Sequence, residues 1–171
     1  MLIKKLHSID YFTEVVKECQ ELLLNVPFKN NVNQLSLQNK YPEIDDWYSA
    51  TGTVYKEGTK TIDESEYRYI NSSLKGSAIE KWINSLDRLV FRTRLMLVPP
   101  RTCYSLHNDY TTRIHLPIIT TPDNFMCFPA EKVIEHFPAD GYSYWVDTRR
   151  YHTFMNCSLT NRIHLVSAVD N

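Results

Sequence analysis

Val90-Phe-Arg-Thr-Arg-Leu-Met-Leu-Val98 runs into Pro99-Pro100 and opens a half of the chain built from short strands. Its residues are β-branched, aromatic or long, and the two prolines, which lack an N–H, stop the ladder. The same texture returns at about residues 103–107, 112–119, 124–128, 132–137, 142–147, 152–156 and 162–169. Thr121-Pro-Asp-Asn124, Pro138-Ala-Asp-Gly141 and Ser158-Leu-Thr-Asn161 punctuate them with turn residues. About eight short strands at spacings near ten residues predict a mainly β protein, an antiparallel sandwich or barrel.

Upstream the texture differs. After a candidate N-cap at Asp10, Phe12, Val15, Val16, Cys19, Leu22 and Leu23 recur at helical spacing, predicting an amphipathic helix over about 11–24 that Asn25 and Pro27 end. Asn33-Gln-Leu-Ser-Leu37 reads as a short strand. Residues 39–72 are polar with scattered Tyr and Trp, and predict a loop with a hairpin, a candidate lid. Ser77 is placed to cap a second helix carrying Ile79, Trp82, Ile83 and Leu86 on one face. The expected layout is one domain over 1–171, with a helical and irregular flank at 1–88 and a β core at 89–170.

Composition removes several function classes. The formal net charge of −1 provides no basic field, so no nucleic-acid partner is expected. No run approaches the roughly 18 apolar residues of a membrane span, and the opening residues lack the apolar stretch of a signal peptide. The four cysteines, Cys19, Cys103, Cys127 and Cys157, form no CxxC pair and match no zinc-knuckle spacing. They read as thiols in a reducing, cytoplasmic setting.

The chemistry concentrates at Ser105-Leu-His107-Asn-Asp109-Tyr110. His107 and Asp109, two apart at the end of a strand, leave the same face and can chelate one metal. His152, in Tyr151-His-Thr-Phe-Met-Asn156, is the candidate third ligand. Two histidines and one carboxylate make the facial arrangement that suits Fe(II) and leaves coordination positions open. Arg162 begins the last strand, Arg-Ile-His-Leu-Val-Ser-Ala-Val169. A guanidinium on an apolar strand requires an anion, and its planar fork suits a carboxylate such as the far end of 2-oxoglutarate. Arg113 and His115 share a strand face and are candidates for the cosubstrate's metal-side carboxylate. Arg94 and Arg101 are candidates for a substrate carboxylate.

Together, His107-x-Asp109, Arg113-x-His115-Leu-Pro117, His152-x-x-x-Asn156 and Arg162 resemble the aspartyl/asparaginyl β-hydroxylase family of Fe(II)/2-oxoglutarate oxygenases, over about residues 90–169. Bacterial proline hydroxylases are similar too. The resemblance implies a double-stranded β-helix, a cupin-like jelly roll with flanking N-terminal helices. It also implies His107 and His152 as iron ligands, Arg162 on the distal carboxylate of 2-oxoglutarate, and Arg113 with His115 near its iron-side end. Vertebrate peptide-modifying members carry Gly where this chain has Asp109, so the full triad is closer to the small-molecule hydroxylases. The expected activity is hydroxylation of an unactivated C–H bond in a small amino-acid-like or peptide substrate, releasing succinate and CO2. The alternative is a cupin-like metal protein, an isomerase, dioxygenase or sugar-binding module, that does not use 2-oxoglutarate. It has no general need for two carboxylate-binding arginines. A third possibility, an inactive interaction domain, is at odds with the intact triad.

Overall fold

Along Thr112–Ile119 and Arg162–Val169, alternation sorts the two faces of the central sheet. Ile114, Leu116, Ile163 and Leu165 join the apolar layer beneath the helices, while Arg113, His115, Arg162 and His164 take the other face. The computed structural model describes residues 1–29, 31–56, 59, 60 and 62–169. In chain order the elements are β1 (Ile3–Ser8), α1 (Phe12–Asn25), β2 (Gln34–Ser36), β3 (Gln38–Asn39), β4 (Tyr55–Lys56), β5 (Thr59–Lys60), β6 (Tyr69–Ile70) and α2 (Ala78–Asn84). They continue with β7 (Val90–Val98), β8 (Thr102–Cys103), β9 (Thr112–Ile119), β10 (Asn124–Phe128), β11 (Val133–Glu135), β12 (Tyr142–Val146), β13 (Thr153–Asn156) and β14 (Arg162–Val169). Short 3-10 turns cover Glu64–Glu66 and Ser72–Leu74.

The major sheet is antiparallel, in the order β1-β12-β9-β14-β7-β2, and the minor sheet runs β11-β10-β13-β8. This is the expected double-stranded β-helix with helices on its flank. Between the sheets lie Met126, Phe128, Phe137, Tyr144, Val146 and Phe154. On the outer face of the major sheet, Val15 and Cys19 of α1 pack with Ile79, Trp82 and Ile83 of α2. Polar contacts fix the two helices. The Glu18 carboxylate accepts from the Ala78 and Ile79 amides at 2.8 and 2.9 Å, and Ser77 Oγ caps α2 through Glu80 N at 3.0 Å, as expected. The buried Trp82 indole donates to Ser143 Oγ at 3.0 Å.

Two features differ from the sequence reading. Asp10 does not cap α1: the N-cap is Tyr11, with no side-chain cap bond. The flank also contributes more than helices and loops, since β1 and β2 form the two edges of the major sheet. In the stretch expected as a lid, the described parts are pinned to that sheet. Asn71 Nδ2 donates to Ser36 O at 3.0 Å, and its Oδ1 accepts from Asn39 and Asp46. The Arg92 guanidinium donates to Ala50 O and Gly52 O. Positions 57, 58 and 61 of that stretch lie outside the described residues, as do the side chains of 55, 56, 59 and 60. Among the described residues, no helix is long and apolar enough to cross a membrane.

Candidate metal centre

Backbone pairing builds the cluster. His107 and His152 face each other across an antiparallel bridge, with His107 N to His152 O at 3.1 Å and the reciprocal bond at 2.8 Å. Their rings therefore meet, with centroids 4.4 Å apart. Asp109 N donates to Thr148 O at 2.8 Å, which returns the carboxylate to the rings. Its Oδ2 lies 4.0 Å from His152 Nε2. One donor atom from each of His107, Asp109 and His152 lies within 4.8 Å of the others, the single such group of His, Cys, Asp or Glu among the described residues.

The donor chemistry fits a metal. His107 Nδ1 is 2.7 Å from Ser105 O and His152 Nδ1 is 2.9 Å from Arg150 O. A carbonyl can only accept, so each Nδ1 carries a proton, and in the neutral ring that leaves Nε2, with its lone pair, as the metal-binding atom. Burial holds the His152 ring below its usual pKa, which keeps that lone pair available. The set, two imidazoles and one carboxylate, is the one Fe(II) oxygenases use.

Beside the cluster is a buried ion network that the sequence reading did not anticipate. Glu64, 3% exposed, bonds Arg92 Nη1 at 2.8 Å and Arg113 Nη2 at 2.9 Å. Arg113 Nη2 also reaches Asp109 Oδ1 at 3.1 Å, so one guanidinium links Glu64 to the cluster and leaves Asp109 Oδ2 toward His152. Arg113 thus differs from the expectation. It needs an anion, but the chain supplies two, and its fork is engaged before any cosubstrate arrives. Sequence reasoning passed over Glu64 because it lies in an aperiodic stretch. The available signal was the excess of arginines on apolar strands, at 92, 94, 113 and 162.

Burial alone would raise the Glu64 carboxyl, but Arg113 and Arg92 outweigh it and hold it down to about 2. From a reference value of 4.5, a depressed carboxyl contributes stability that is full above the unfolded pKa and lost as pH falls toward the folded one. The window is therefore pH 4.5 down to about 2, and the contribution at neutral pH is about 3 kcal/mol. Glu64→Gln is expected to flatten the acid limb of a urea-unfolding series across that window. An acid limb identical to the parent's would remove Glu64 from this role.

The interior holds two further arginines. Arg162, 1% exposed, has no carboxylate within ion-pair distance among the described residues; its neighbours are His164 Nδ1 and the Phe154 ring, 3.5 Å below its Cζ. Its Nε has no hydrogen-bond partner. Burial lowers its pKa to about 9. Arg94, 5% exposed, bonds Gln34 Oε1 at 3.0 Å, and its Nε is also unpartnered. His115 is buried with neither ring nitrogen bonded, and burial pushes its pKa far below the usual value, so it is neutral. Arg-Ile-His-Leu occurs twice, at 113–116 and 162–165, on neighbouring antiparallel strands. The antiparallel run sets Arg113 at the cluster's end of the interior and Arg162 at the other. A cavity of about 440 Å³ reaches from the three donor residues to Arg94, His115 and Phe154. Arg101 lies away from it, exposed in the turn after β7.

No family model matches the chain, and no curated protein matches it in sequence. Solved structures do resemble it. A Pseudomonas putida prolyl-4-hydroxylase aligns over 99% of this chain and 92% of its own, with TM-score 0.59 and 12% identity. A viral collagen prolyl hydroxylase from Paramecium bursaria Chlorella virus-1, solved as a 2OG complex, covers 99% and 97% with TM-score 0.45 and 17% identity. A cupin domain from Bordetella pertussis covers 51% and 88% with TM-score 0.42 and 18% identity. At such identity the likeness to the first is one of fold alone. The chain therefore shares the jelly-roll fold of that prolyl-4-hydroxylase and lines its cavity with two histidines and a carboxylate.

Proposed function

We propose that this protein is an Fe(II)- and 2-oxoglutarate-dependent oxygenase that hydroxylates an unactivated C–H bond of a small amino-acid-like or peptide substrate. Succinate and CO2 would be the coproducts. The observation that carries this reading is Arg162, a fully buried guanidinium without a carboxylate among the described residues. It lies over Phe154 of β13, two positions after His152 and on the same face. That offset is about 7 Å, the reach of a five-carbon dicarboxylate running from the cluster to the guanidinium. His107, Asp109 and His152 would hold the iron, which when bound supplies O2 activation coupled to decarboxylation of the cosubstrate.

The chain's own groups do the rest. Arg162 fixes the far carboxylate, and with it the orientation of the cosubstrate. Arg113 restrains Asp109 through Oδ1 and leaves Oδ2 for the metal. Neutral His115 can donate a hydrogen bond into the cavity without adding charge. Phe154 and Met126 make that wall apolar and exclude water. The sequence resemblance to aspartyl/asparaginyl β-hydroxylases has no counterpart among the three solved structures, which are two prolyl hydroxylases and a cupin domain.

The test is calorimetric titration of 2-oxoglutarate into the anaerobic Mn(II)-loaded protein, followed by a succinate-release assay with Fe(II), ascorbate and a panel of amino acids and peptides. Metal-dependent binding and succinate release are expected. A protein that takes up metal but not 2-oxoglutarate would instead be the cupin-like alternative.

A further inference from the structure

Pairing every buried arginine with its anion leaves a remainder. Arg92 and Arg113 share Glu64, and Arg113 also reaches Asp109. Arg94 and Arg162 have no carboxylate within ion-pair distance among the described residues, although both are more than nine-tenths buried. The reading proposed above supplies one distant carboxylate, that of the cosubstrate, and Arg162 takes it. Arg94 is then still unpaired. Enclosing a guanidinium without a counter-ion is costly, and a site built that way is completed by an anion.

The two arginines occupy different places. Arg162 stands opposite Val98 at the far end of β7, whereas Arg94 stands opposite Val166. These positions are four residues apart along β14, about 13 Å. Arg94 lines the open cavity together with Asn33 and Gln34 of its rim, and Arg162 is not among the lining residues. Gln34 Oε1 accepts from Arg94 Nη1 at 3.0 Å and from Gly52 N at 3.1 Å. The carboxamide therefore holds the guanidinium in place without neutralising it. Arg94 Nε is left without a bond.

We infer that Arg94, positioned by Gln34, is the receptor for the carboxylate of the substrate, and that the substrate is a small free acid of amino-acid size. This rests on the 2-oxoglutarate reading. The cavity of about 440 Å³ that Arg94 lines suits a small acid better than a folded protein segment. The substrate's carboxylate would sit near β2 and the Asn31–Gln34 rim, with its side chain directed to the cluster.

The experiment uses the Mn(II)-loaded protein and begins with 2-oxoglutarate binding, so failure of the underlying reading is seen first and separately. Thermal shift and calorimetry on the 2-oxoglutarate complex then compare the common L-amino acids with their C-terminal amides. At least one acid is expected to bind where its amide does not. In Arg94→Met that affinity should fall roughly 30-fold or more, while 2-oxoglutarate affinity stays within a few-fold of the parent. Gln34→Met, which keeps the charge and frees its direction, should show a smaller loss in the same order of ligands. Equal binding of acids and amides, no binding of any acid by the 2-oxoglutarate complex, or an acid affinity unchanged in Arg94→Met would each overturn the inference. So would a loss of 2-oxoglutarate affinity in Arg94→Met as large as in Arg162→Met, since both arginines would then grip one carboxylate.

Discussion

His152→Ala is expected to lose Mn(II) and Fe(II) binding by more than about 100-fold and to abolish succinate release. Changing groups that only hydrogen-bond a ligand costs 10- to 100-fold, and removing a donor atom itself exceeds that. The position suits the test, because its structural work is done by the backbone. The His152 amide and carbonyl form the bridge to His107, and alanine keeps both. Asp109→Ala is the less clean companion, since it also withdraws one partner of Arg113. Metal affinity read by calorimetry, with metal-free thermal unfolding as the control for folding, decides the matter. Parental metal affinity in His152→Ala would eliminate the cluster as a metal site.

Arg162→Met is expected to raise the 2-oxoglutarate dissociation constant roughly 30- to several-thousandfold with little change in metal affinity. Removing one partner of a desolvated charge pair costs about 2–5 kcal/mol. A second effect runs the other way. Burial without a carboxylate partner disfavours the charged guanidinium, so Arg162 destabilises the ligand-free fold. Methionine removes the charge and keeps most of the volume, so ligand-free Arg162→Met should be more stable than the parent at neutral pH, by about 1–4 kcal/mol. Tighter folding with poorer cosubstrate binding is what an anion receptor gives. Lower stability with unchanged 2-oxoglutarate affinity would mark Arg162 as structural.

Much of the second half was legible because alternation and breakers coincide there. The readings at 112–119, 124–128 and 162–169 match β9, β10 and β14 end to end. The HxD spacing was legible as two donors close in sequence, but the strand expected at 103–107 is not there: His107 sits in an isolated bridge to His152, and Asp109, on irregular backbone, is returned to the rings by its bond to Thr148 O. Partnership was not legible. An arginine on an apolar strand announces a missing anion but not its source, so Arg113 was read toward a cosubstrate when Glu64, 49 residues earlier, engages it. Glu64 itself has no periodic context. β1 was also missed, because Ile3 and Leu6 are three apart and the register shifts between Lys5 and Ser8, which breaks the two-residue period a strand would show.

The two edges of the major sheet, β1 and β2, both precede its inner strands in the chain. Ile3 pairs with Val146, and Leu35 with Leu95, so the first strand waits for almost the whole chain before it finds its neighbour. Closing so long a loop is entropically unfavourable, and strands that must wait fold slowly. Until β1 docks, the β12 backbone is an open edge. Lys4 and Lys5, exposed at the centre of β1, keep this waiting strand from pairing with other chains. Once β1 is in place, the exposed edge of the major sheet on that side is a short strand guarded by two lysines.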